Sequence, residues 1–151
     1  MSWDDRFVAL AEFVAQWSKD RSTKTGAVVV GPDNEVRSIG YNGMPRGCND
    51  SVNARHERPA KYMWMEHSER NAFNNALLSG TSLKACTLYS NWFPCAECAR
   101  GIIQVGIIRV VGYEPDFNHP QYGAQFQTTV EMLTEAGVVI TYVGTREQKQ
   151  K

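Results

Sequence analysis

From Lys84 onward the sequence alternates between two hydrophobic periods. KACTLYS, IIRVVGY and VVITYV are short runs rich in β-formers, whereas CAECARGIIQV, opened by Pro94, and QTTVEMLTEA, closed by Gly137, repeat at helical spacing. Upstream, GAVVVG and VRSIGY flank Pro32, Asp33 and Asn34, three residues that favour turns for different backbone reasons, and together they predict a β-hairpin. Strands that alternate with helices after a hairpin imply a mixed sheet covered on both faces, a three-layer α/β/α sandwich.

Trp3, Phe7, Leu10, Val14 and Trp17 recur at steps of three and four and predict a first amphipathic helix with those residues on its buried stripe. Met65, Ala72, Phe73, Ala76 and Leu77 predict a second helical pattern from Lys61 to Leu78, stopped by Gly80. Between Asn42 and Pro59 no period is visible, and an aperiodic stretch of that length is the kind that borders a site. With 151 residues the chain fits one domain, assigned to residues 1–145, and residues 146–151 are expected to be a disordered tail.

Lys plus Arg and Asp plus Glu number 16 each, so no bulk positive field draws the chain onto nucleic acid. No stretch reaches the roughly 18 to 20 apolar residues that cross a bilayer, and MSWDDRFVAL lacks the charge and apolar run of a signal peptide. The expected setting is the cytoplasm, without a membrane partner and with thiols reduced. Of the four cysteines, Cys86 falls in a strand-like run and Cys48 in a polar loop, which leaves Cys95 and Cys98 at ligand spacing.

Pro94, Cys95 and Cys98 form a PCxxC unit at the start of a predicted helix, where free amides favour thiolate and both sulfurs can reach one metal. Alone, CxxC also suits a redox pair or half of a structural zinc site. His67 and Glu69, in HSE, complete it: an imidazole and two thiolates suit zinc, and a carboxylate stands beside them. Residues two apart diverge within a helix interior, so His67 and Glu69 can face one ligand only at a helix's first turn. Two helix N-termini must then converge, and the pattern before Met65 must be a separate turn. Three protein ligands leave the fourth position to water, and zinc lowers that water's pKa to roughly 7. Glu69 is then the proton shuttle. The competing reading is a closed structural zinc with Cys86 or Cys48 as fourth ligand, which gives Glu69 no role.

H-x-E followed by P-C-x-x-C is the signature of the zinc nucleobase deaminases. With STKTGAVVV, GYNGMPRGCND, HSERNAF and FPCAECARGIIQVGI in order, the chain resembles the cytidine and deoxycytidylate deaminase superfamily, and within it the deoxycytidylate (dCMP) branch, from Ser18 to Val143. The resemblance implies a five-stranded mixed sheet of cytidine-deaminase-like type and one catalytic Zn2+. It also implies hydrolysis of dCMP to dUMP with release of ammonia, a supply of dUMP for thymidylate synthesis. By the same resemblance Asn42 lies near the substrate sugar and the backbone around Ala27 lines the ring pocket. Ser68 stands where the family usually has alanine. A phosphate needs cations: Lys24, Arg46, Arg55, Arg58 and Lys61 are candidates, with Lys24 and Arg46 preferred because they adjoin matched segments. Phe117 and Tyr122 are candidates to stack on the base. Cys48, His56 and His119, the remaining ligand types in loops, are read as loop residues rather than a second zinc site.

Many relatives are regulated, so the resemblance also implies a homo-oligomer, favoured as a hexamer. Its activity would be raised by dCTP and lowered by dTTP, with Mg2+ accompanying a nucleotide held near Gly40, Tyr41, Asn42 and Gly43. The rival readings are a deaminase of another cytosine nucleotide such as dCTP, a deaminase of tRNA adenosine, and a deaminase-fold binding module without turnover.

Overall fold

The computed structural model describes residues 1–146. A five-stranded mixed sheet in the order β2-β1-β3-β4-β5 organises the chain. The predicted hairpin is β1 (Gly26–Val30) and β2 (Val36–Tyr41), paired antiparallel, with Asn34 left-handed in its turn. Next, β1 runs antiparallel to β3 (Thr87–Ser90), while β3, β4 (Arg109–Glu114) and β5 (Val139–Thr145) are parallel. Helix α4 (Ala96–Gln104) joins β3 to β4, and α5 (Gly123–Glu135) joins β4 to β5. All five residues of β1 are buried, as a central strand covered on both faces requires.

One core lies between the sheet and α3 (Ser68–Ser79), α4 and α5, around Val29, Leu88, Ile102, Val110 and Leu133. The other lies beneath α1 (Trp3–Ala15), around Phe7, Val8, Val14, Val28 and Val111. In α1 the expected stripe is only half correct. Phe7 and Val14 are buried, but Trp3 is 53% exposed, and Trp17, 48% exposed, lies beyond the helix end. The helix instead turns its small residues Ala11 and Ala15 to the sheet. A Cβ on Gly26 would stand 2.1 Å from the Ala11 carbonyl oxygen, so this approach is open only to backbone against backbone.

The pattern from Lys61 to Leu78 divides as its chemistry demanded. A short α2 (Lys61–Trp64) ends, the chain extends through Met65 and His67, and α3 (Ser68–Ser79) begins, with left-handed Gly80 as its C-cap. Leu77, expected in the buried stripe, is 80% exposed, because α3 seats Ala72 and Ala76 on the sheet. There, a Cβ on Gly40 of β2 would lie 2.3 Å from Ser68 O and Ala72 N, which draws the first turn of α3 tightly over the sheet. Cys86 is buried in the core and Cys48 lies in the loop after β2.

Of the expected tail, Arg146 alone falls among the described residues. Thr145 is the last residue of β5, and Arg146 donates to the Asn91 carbonyl at 3.0 Å. Residues 147–151 lie outside the described residues.

Candidate metal centre and active site

Two helices point their N-termini at one place. His67 is the N-cap of α3 and Cys95 the N-cap of α4, both with extended backbone, so their side chains project ahead of the helices. Pro94 precedes the cap instead of opening the helix, and its carbonyl accepts from Thr129 of α5 at 3.0 Å, which fixes the approach of the chain. Cys98 follows one turn into α4. The His67 Nδ1 atom lies 3.5 Å from both sulfurs, and the three donor atoms fall within 4.8 Å of one another. An imidazole and two sulfurs gathered this closely fit a tetrahedral zinc with one position left for a small ligand.

The three donors also act on one another's protons. A hydrogen bond from the Cys98 thiol draws Cys95 down to about 4 against the effect of burial, and His67 assists. The same bond, with burial, pushes Cys98 up. His67 is raised, chiefly by its contact with Cys95. Ligation requires both thiols deprotonated and His67 neutral, so a divalent cation would displace protons from the set.

Glu69 sits in the first turn of α3 and is 4% exposed. Its Oε2 accepts from Cys98 at 3.4 Å, and burial raises its carboxyl above the ordinary value despite His67 nearby. A buried carboxyl shifted upward holds a proton more readily than an exposed one, which suits a group that takes up and releases protons. Beneath it Arg70 braces the centre. Arg70 binds Glu66 at 2.6 Å and Glu97 at 3.1 Å, and Nη1 approaches Cys98 Sγ at 3.8 Å. Burial opposes the Arg70 charge, yet Glu66, Cys98 and Glu97 hold it protonated. Glu66 also accepts from the His67 amide at 2.9 Å, and its backbone pairs with Gly43 through bonds of 3.1 and 2.8 Å.

The metal-ligand set opens into a cavity built from three further stretches: Asp20, Thr23, Thr25 and Asn42; Arg58, Lys61, Tyr62 and Met65; and Trp92, Phe93, His119, Gln121 and Tyr122. Asn42 is pinned there. Its Oδ1 accepts from Thr25 N at 2.8 Å, and its Nδ2 donates to Thr23 O at 2.8 Å and to Asp20 Oδ2 at 3.4 Å. Asp20 in turn forms a buried pair with Lys61 at 3.0 Å and accepts from the amides of Ser22 and Thr23. Ala27 is buried in β1 as Thr25, two residues before it, lines the cavity. Of the aromatic candidates, Tyr122 lines the cavity and packs against Trp92, while Phe117 lies outside the lining.

The preferred cations stand elsewhere. Lys24 is exposed and outside the lining, and Arg46 binds Asn75 beside a second concavity formed by Tyr41, Gly43, Met44, Pro45 and residues of α3. Arg55 stacks over Trp64. Arg58 and Lys61 are the cations that reach the cavity. Within the GYNG tract, Asn42 faces the cavity, Tyr41 and Gly43 face the second concavity, and Gly40 is packed beneath α3. His119 contacts Trp92 and Tyr122, and His56 meets the Asp50 carbonyl, so with Cys48 they do not gather into a metal cluster among the described residues.

Sequence reasoning did not single out Asp20, Arg70, Trp92 or the Tyr62–Gln121 hydrogen bond of 2.8 Å. Asp20 had a local signal, since Asp followed by Ser and Thr is an Asx-turn pattern. Arg70 had one as well, four residues after its partner Glu66, whereas Trp92 and the Tyr62–Gln121 pair depend on contacts across the fold and carried none.

The cytidine and deoxycytidylate deaminase zinc-binding region matches residues 1–114 of the chain. An uncharacterized deaminase encoded in the luxG 3′ region of Aliivibrio fischeri is 38% identical over 144 residues, covering 93% of both proteins. The human deoxycytidylate deaminase is 41% identical over 116 residues, covering 74% of this chain and 64% of the human protein. In fold, the chain is similar to the dCMP deaminase of cyanophage S-TIM5 solved with dCMP and dUMP. The TM-score is 0.75 and the identity 22%, over 92% of this chain and 95% of that one. With the His67, Cys95 and Cys98 set in place and Glu69 beside it, the chain belongs to the cytidine and deoxycytidylate deaminase family of zinc enzymes.

Proposed function

We propose that the chain hydrolyses dCMP to dUMP and ammonia, supplying dUMP for thymidylate synthesis. The observation that carries the reading is a buried carboxyl, Glu69, placed beside the metal-ligand set at the inner end of a cavity that also holds a cation, Arg58. Similarity to deoxycytidylate deaminases supports the choice of nucleotide.

His67 Nδ1 and the two sulfurs of Cys95 and Cys98 would hold the zinc, which supplies polarisation of a water molecule and a lowered pKa for it. Glu69 does the proton work. As the water oxygen bonds to C4 and the C4–N4 bond breaks, Glu69 carries one water proton to ring N3 and the other to N4, which departs as ammonia. The hydrogen bonds of Asn42 to Thr23, Thr25 and Asp20 engage both amide protons, so toward the sugar it offers its remaining oxygen lone pair as an acceptor. Trp92 and Tyr122 exclude water beside the base. For the phosphate, Arg58 replaces Lys24 and Arg46: its Nε donates to Tyr62 OH at 2.6 Å, which leaves further guanidinium donors for an anion. Lys61 is already neutralised by Asp20.

The regulatory reading belongs here as well. A homo-oligomer, favoured as a hexamer, with dCTP activating and dTTP inhibiting, would use the second concavity at Tyr41 and Gly43, any Mg2+ arriving with the nucleotide's phosphates. Glu66 supports such coupling because it lines both concavities. Saturation curves with and without dCTP, alongside light scattering, test it: a hyperbolic curve unmoved by either nucleotide, from a monomer, removes it. The substrate test is ammonia release from dCMP, CMP, dCTP, deoxycytidine and an RNA hairpin. Preference for dCMP supports the reading, while equal rates on deoxycytidine or activity on the hairpin alone overturn it.

A further inference from the structure

Trp92 forms part of the cavity wall, and its setting is built from the far end of the chain. The guanidinium carbon of Arg146 stands 5.0 Å from the centre of the Trp92 ring, within reach of a cation–π interaction, and Arg146 Nη1 donates to the Asn91 carbonyl at 3.0 Å. The ring's other neighbours are the edges of His119, Tyr122 and Phe126, at centroid distances of 6.0, 6.5 and 6.2 Å. Asn91 holds the segment around Thr25 with its side chain, accepting from the Gly26 amide at 2.9 Å and donating to the Lys24 carbonyl at 3.3 Å, on either side of a residue that lines the cavity. One short stretch, Asn91 and Trp92, thus ties the C-terminal residue of the described chain to two walls of the cavity, three residues before the ligand Cys95. Arg146 also lies beyond residues 1–114, the part that the family region matches.

We infer that Arg146 is a positioning residue for substrate binding, acting through Trp92: it fixes the indole ring as the wall against which the base is held. The inference rests on the dCMP reading for its kinetic consequence and on geometry alone for the clamp. A wall contact is made equally in the bound substrate and in the transition state, so its loss falls on KM rather than on kcat.

The test uses full-length zinc-loaded protein in five forms: wild type, Arg146→Ala, Arg146→Lys, Trp92→Phe, and Trp92→Phe combined with Arg146→Ala. Arg146→Ala should raise KM for dCMP roughly three- to tenfold and leave kcat within about twofold. It should also increase iodide quenching of tryptophan emission. Both changes should disappear when Arg146→Ala is made on the Trp92→Phe background, and Arg146→Lys, which keeps a cation over the ring, should recover most of the KM. Unchanged KM and quenching in Arg146→Ala overturn the inference, as do changes of the same size on the Trp92→Phe background, which would mark a general loosening of the C-terminus. A wild-type protein inactive on dCMP would sink the substrate reading, while the quenching comparison still decides the clamp.

Discussion

In the proposed reaction Glu69 carries the protons, and its neighbour Ser68 tests how the site is built. Glu69→Gln keeps the size and polarity of the buried side chain but cannot cycle a proton. It should bind zinc as wild type does and lose about 10²- to 10⁴-fold in kcat, read from ammonia release with metal content measured on the same sample. Near-normal turnover would show that another group moves the proton. Ser68 is fully buried and its hydroxyl has no hydrogen-bond partner. Burial of an unpaired hydroxyl costs free energy, so Ser68→Ala should stabilise the protein by about 1 kcal/mol, a rise of a few degrees in thermal midpoint, with activity retained. A lower midpoint would mean that the hydroxyl has a partner in solution. At this scale His67, Glu69, Cys95 and Cys98 were legible because each residue type has narrow chemistry and the spacing is short. Which cation lines the cavity was not, because Lys24, Arg46 and Arg58 are all flexible charges in loops and only the fold brings Arg58 to it.

Among the elements, the break between α2 and α3 was readable from chemistry where periodicity failed. The apolar spacing runs through Met65 without interruption, but His67 and Glu69 can share a ligand only at a helix start, and the structure places His67 at the N-cap. The burial of α1 was not readable, since large residues at helical steps outweigh Ala11 and Ala15 on paper, while the contact with Gly26 is visible only in three dimensions. Asp20 links the loop after α1 to α2. Burial would raise its pKa, yet the amides of Thr23 and Ser22 and the Lys61 ammonium hold it below its ordinary 3.8. A depressed carboxyl contributes stability that is present above its unfolded value and lost as pH falls through its lower native value. Asp20→Asn should therefore lower the urea midpoint at neutral pH, leaving Lys61 buried without its partner, and should flatten the decline below about pH 4. An acid limb as steep as that of wild type would assign the dependence to other carboxylates, such as Asp4 beside Arg109.

For the molecule as a whole, alternating strands and helices after a hairpin were enough to give the sandwich, because so few architectures satisfy that order. Strand order and the parallel placement of β5 came only from the structure. The fold brings the two helix N-termini to a cavity that Arg58 also lines. Specificity is thus tested at Arg58. The most direct measurement is kcat/KM for dCMP and for deoxycytidine, followed by ammonia release, with zinc-loaded wild type and Arg58→Ala. The account predicts a strong preference of wild type for dCMP and a loss of about tenfold or more on dCMP alone in Arg58→Ala, as expected when a charge-assisted contact to phosphate is removed. Equal use of both substrates by wild type, with no ammonia dependent on the phosphate, would contradict it.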